Sequence, residues 1–230
     1  MKKYYEKHEI LISILLIIIY IISNSFCLQN FGMIDYRTMT INLILCILII
    51  CFILYNKLAK YYCLNRFPNP KKFLYFIPLM IIMTINFWGG IAINNSPVEI
   101  SVYIINMIAV SFLEEIIFRG FLFQMMAKDN LNRAIFVTSI TFGIGHILNL
   151  LNGADLIPTL IQICYSLSIG YLFAIILHKG KSLWPCIITH TVVNSLSIFN
   201  TENFVSLYIA PSILIVIPIL YSKYLKKQKF

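Results

Sequence analysis

The sequence predicts an all-α polytopic membrane protein, with eight transmembrane helices around a polar cavity inside the bilayer. Three observations carry this reading. Hydrophobic residues make up 60% of the 230 residues, and mean hydropathy is +0.84, where a soluble domain averages about 45–50% apolar. The apolar residues gather in eight runs near the ~20 residues that a spanning helix requires. Basic residues segregate to alternate loops between those runs.

The runs lie at roughly 9–28, 39–55, 73–95, 100–127, 134–151, 158–178, 183–199 and 205–221. The first follows Met1-Lys-Lys-Tyr-Tyr-Glu-Lys7 and reads as a retained helix, because it is long for a signal peptide and no small-x-small cleavage site follows. The fourth is long enough for its cytosolic end to project beyond the bilayer or lie along its surface. Pro185 fits the first turn of the seventh, and Pro211 and Pro218 kink the eighth. Lys2, Lys3, Lys7, Lys57, Lys60, Arg66, Lys71, Lys72, Lys128, Arg133, Lys179, Lys181, Lys223, Lys226, Lys227 and Lys229 all fall on one side of an eight-span frame. The opposite loops hold Asp35, Arg37, Glu99, Asp155 and Glu202. Positive charge marks the cytosolic face, which places both termini in the cytosol. Residues 1–230 read as a single membrane domain, without repeats, low-complexity tracts or a separate soluble unit.

A net charge of +9 would suggest nucleic acid in a soluble protein. Here the basic residues belong to membrane loops, and no phosphate loop, zinc-finger spacing or RNA-binding signature occurs. The cysteines at 27, 46, 51, 63, 164 and 186 form no CxxC pair and mostly fall within apolar runs. They read as packed thiols rather than disulfides.

Chemistry concentrates in three patterns. The fourth run contains Glu114-Glu115-Ile-Ile-Phe-Arg119. A charge at mid-bilayer costs about 3 kcal/mol on insertion scales, so intramembrane charges mark working sites more often than passengers. Glu115 and Arg119 stand four residues apart and are set to pair. Glu114 is turned about 100° away and faces another partner. The fifth run contains Phe142-Gly-Ile-Gly-His146, with Phe142 and His146 on one face and Gly143 and Gly145 allowing close helix approach. The seventh contains His190-Thr-Val-Val-Asn194, again one turn apart. Singly, the histidine patterns also fit interhelical hydrogen bonding. Together the three predict one polar cavity fed by three helices.

In this order the patterns EExxxR, FxxxH and HxxxN resemble the CPBP (ABI, CAAX protease) family of intramembrane endopeptidases. That group includes the CAAX prenyl endopeptidases and bacterial proteins linked to bacteriocin processing and self-immunity. The resemblance spans residues 111–195. It implies an intramembrane peptidase in which Glu114 activates a water that His146 also holds. His190 and Asn194 would donate hydrogen bonds to the oxyanion, with Glu115 and Arg119 supporting the site. It also implies a membrane-associated peptide or protein substrate and favours a glutamate mechanism without an obligatory metal. The residues leave a zinc site of Glu114, His146 and His190 open, although HExxH is absent. Abundant Tyr, Ile, Lys and Asn hint at an AT-rich bacterial genome, hence a bacterial plasma membrane. Peptide precursors, bacteriocin leaders and membrane-protein segments are then the candidate substrates, and no motif selects among them or sets an oligomeric state. Two rival classes use the same helices. One is a bacteriocin-immunity or binding protein without proteolysis. The other is a small transporter, for which no inverted repeat or paired broken helix is seen.

Overall fold

The computed structural model describes residues 2–67 and 77–228. Helices run α1 (Lys2–Lys7), α2 (Glu9–Asn30), α3 (Tyr36–Tyr55), α4 (Ile77–Met83), α5 (Pro97–Glu115), α6 (Gln124–Ala127), α7 (Leu131–Gly145), α8 (Leu156–Gly180), α9 (Trp184–Leu196) and α10 (Ala210–Lys227). A π-helical stretch, Ile116–Phe123, joins α5 to α6 as one continuous rod, and another, Val205–Ile209, leads into α10. Among the described residues there is no strand, only an isolated bridge between Ile91 and Asn200.

Among the described residues, six helical stretches are long and apolar enough to cross a membrane: Glu9–Asn30, Tyr36–Tyr55, Pro97–Ala127, Leu131–Leu150, Leu156–Gly180 and Val205–Lys227. The predicted runs 73–95 and 183–199 hold shorter helices. Ile77–Phe87 is one, and the 13-residue α9 is the other; residues 73–76, with the predicted loop residues Lys71 and Lys72, lie outside the described residues. Both stop early for a local reason. Gly90 takes φ +108°, a left-handed conformation that ends a helix. Its neighbour Gly89 accepts hydrogen bonds from Thr201 and Asn203. After α9 a 3-10 turn, Ser197–Phe199, leads into the same junction, where Ala92 N–H donates to Phe199 O at 2.9 Å.

The helices are amphipathic inside out. On α2 the residues Ile10, Leu11, Ile14, Leu15, Ile18, Ile19, Ile22 and Phe26 are exposed, as a lipid-facing stripe requires. Its buried residues are Glu9, Ser13, Tyr20 and Cys27. On α3, Thr38, Asn42, Cys46, Ile49 and Ile53 turn inward. Asn42 donates to Asn106 Oδ1 of α5 at 2.9 Å, and Asn106 donates to Met33 O. Side-chain bonds of this kind join helices where the hydrophobic effect between them vanishes. All six cysteines are free.

Two acidic residues opposite the basic face serve as caps. Asp35 accepts from Arg37 N–H at the start of α3, and Ser96 and Glu99 form a reciprocal capping box on α5. On the basic side, Lys128 donates to both Glu9 oxygens at 2.6 and 2.7 Å. Burial works against the Lys128 ammonium, but its bonds to Glu9 and Tyr61 outweigh this and raise its pKa.

The centre is built on α7, α8 and the π stretch. Every residue from Ile116 to Phe123 is buried, as is Leu172–Leu177 of α8. An ideal Cβ placed on Gly143 would sit 2.5 Å from Leu167 Cγ, so α7 and α8 meet closely there. A Cβ on Gly145 would meet nothing within 4 Å, so only the first of the two predicted glycines serves helix contact. Overpacking of this kind costs typically 1–3 kcal/mol. Gly143→Ala is therefore expected to lower the thermal unfolding midpoint in detergent, and Gly145→Ala to leave it unchanged or higher.

Candidate active site

The six residues singled out by the sequence come from α5, its π extension, α7's end and α9. Glu115 and Arg119 form the predicted pair at 3.1 Å, both 0% exposed. Arg119 lies flat over the Phe142 ring, 3.9 Å from its centroid, with Phe173 5.6 Å away. A desolvated cation over a ring face gains ~2 kcal/mol, which offsets part of the burial cost. Gly170 makes room for this stack, since a Cβ there would stand 3.1 Å from Arg119 Nη2. Among the described residues Glu115 Oε2, Arg119 Nε and Arg119 Nη2 have no hydrogen-bond partner.

His190 docks onto the same pair. Its Nδ1 lies 2.8 Å from Glu115 Oε1, and its Nε2 lies 3.5 Å from Glu114 Oε2. Glu114 and His190 keep 14% and 11% side-chain exposure, directed to a cavity rather than a sealed core. The other Glu114 oxygen accepts from Tyr20 OH at 2.7 Å. His146 sits where α7 passes into a 3-10 turn. The Phe142 ring meets both imidazoles edge-on, with centroids 5.5 Å from His146 and 5.8 Å from His190. One ring thus spaces three charged or titratable groups. Asn194 donates to Ser111 Oγ at 3.3 Å, leaving its second amide hydrogen free to serve a ligand.

Glu114, His146, His190 and Asn194 all line one cavity of about 330 Å³. α9 starts inside the bundle. Leu183 and Cys186 are fully buried beneath the turn at 57–64, whose Cys63 O and Leu64 O accept from Leu183 N–H and Trp184 Nε1.

Among the described residues no group of three or more His, Cys, Asp or Glu side chains is placed to hold a metal ion. Glu114, His146 and His190, the set left open for zinc, line the same cavity.

Tyr20 and Ser111 are site contacts that the sequence patterns do not reveal. Tyr20 is the one tyrosine in the apolar run 9–28, a faint signal visible only once a partner is known.

Residues 96–196 match the Rce1-like family of type II CAAX prenyl endopeptidases. This is a protease family, and it agrees with the CPBP resemblance of the three patterns. No curated protein matches the chain. The match begins at the Ser96 cap of α5 and ends at Leu196, the last residue of α9. All six patterned residues fall within the Rce1-like segment, and Tyr20 falls outside it. Together with the apolar helices, the match identifies an integral membrane protein.

Removing one partner of a buried ion pair costs roughly 3–5 kcal/mol. Glu115→Gln is expected to lower the unfolding midpoint in detergent by a corresponding amount. The double variant Glu115→Gln/Arg119→Gln should lose less than the sum of the two single changes.

Proposed function

We propose that the protein is an intramembrane endopeptidase that hydrolyses peptide bonds of membrane-associated peptides or proteins. The observation carrying this is the convergence of Glu114, His146, His190 and Asn194 on one cavity. The Rce1-like match, whose family acts on membrane-associated peptides, supports it.

In this mechanism Glu114 takes a proton from a water held between it and His146, and the oxygen adds to the substrate carbonyl carbon. A base within hydrogen-bond reach of the attacking water typically contributes 10²–10⁴ in rate. His190 Nε2 and the free Asn194 amide hydrogen stabilise the resulting oxyanion. Glu114 then returns its proton to the leaving amine as the C–N bond breaks.

To serve the oxyanion, His190 Nε2 must carry a hydrogen, while Nδ1 faces Glu115 Oε1 at 2.8 Å. No step of this mechanism needs a metal.

We further propose that the runs 73–95 and 183–199 also cross, giving eight spans in a bacterial plasma membrane, with both termini cytosolic. The segregation of basic residues supports this arrangement.

Short internally quenched peptides, incubated with the protein in phosphatidylethanolamine–phosphatidylglycerol vesicles, test the reading. Glu114→Gln and His146→Ala are expected to abolish cleavage. Asn194→Ala should reduce kcat by about 10²–10³. Undiminished turnover in Glu114→Gln or His146→Ala would sink the mechanism.

A further inference from the structure

Glu114 borders two cavities of unequal size. The larger, about 330 Å³, is lined by His190 and Asn194. The smaller, about 60 Å³, is lined by Tyr20, Ser25, Gly145 and Asn152, none of which lines the larger. Asn24, Glu114, Phe142, His146 and Asn149 border both.

We propose that the smaller cavity is the binding site for the hydrolytic water, and that Tyr20 is the positioning residue that aims Glu114 at it. The inference rests on Glu114 being the base.

Size argues first. About 60 Å³ accommodates roughly two waters at the ~30 Å³ each takes in the liquid, and no peptide. Chemistry argues next. A buried water needs two to four polar partners, and Tyr20, Asn24, Ser25, Glu114, His146 and Asn152 surround this space. The two groups assigned to water activation, Glu114 and His146, border it, whereas the two assigned to the oxyanion do not.

Tyr20 supplies the orientation. Its hydroxyl is on a side chain from α2 that is only 6% exposed, on a helix whose other faces meet lipid. It donates to Glu114 Oε1 at 2.7 Å while Oε2 faces His190. A carboxylate oxygen has lone-pair capacity for a second donor, so Oε1 holds the tyrosine and still receives a water. The pairing fixes the carboxylate plane across the boundary between the two cavities.

Two variants test this with the same quenched peptides. Tyr20→Phe removes only the hydroxyl. Gly145→Leu adds a bulky side chain at a residue lining the smaller cavity, where a Cβ meets no atom within 4 Å. Each is expected to lower kcat by about 10- to 100-fold, the loss of a hydrogen bond to a charged group or of the ordered nucleophile, with KM unchanged and the melting midpoint near that of the wild type. Wild-type kcat in either folded variant overturns the proposal, as does a rise in KM with kcat intact. Both results leave the peptidase reading standing so long as Glu114→Gln is inactive. Should Tyr20→Phe melt early, Gly145→Leu decides alone.

Discussion

A guanidinium with no exposure to solvent has to be neutralised where it lies. Arg119 is that group, and Glu115 on the preceding turn is its counter-charge. Much of the centre reads as a response to this pair. Phe142 and Phe173 cover the cation with ring faces and edges, and Gly170 withholds a side chain so that the stack fits. His190 then takes its position from the carboxylate, not from the cavity. A buried pair of this kind adds little net stability over apolar packing. Its value lies in direction, because the Glu115 oxygen that pairs with Arg119 also holds an imidazole beside Glu114.

The π stretch gives this arrangement its place in the helix. Glu114 and Glu115 end the α-helical part of the rod, and Ile116–Phe123 widens the turn directly after them. Such departures cost hydrogen-bond geometry and gather at functional sites. Here the widened segment is buried on all sides, so packing against α2, α7 and α8 holds it in place.

The sequence made the helical class legible because apolar run length and loop charge are both set by the bilayer. It also disclosed the patterned residues, because ionisable groups stand out in apolar runs and four-residue spacing fixes a shared face. The Glu115–Arg119 contact was readable for that reason. The short helices α4 and α9 were less so, since hydropathy measures composition and does not register that Gly90 leaves the helical region or that α9 begins beneath a neighbouring turn. Tyr20 was hidden for another reason. Its partner is 94 positions away, and a single hydroxyl in a run of isoleucines has no periodicity to betray it.

The turn at 57–64 has a mechanical corollary. It grips the first residues of α9 through two backbone carbonyls, and fewer than about two helical turns separate that grip from His190. A helix this short transmits displacement without bending. Lys57 and Lys60 belong to that turn, so a displacement at this basic rim is carried along a stiff lever to the imidazole.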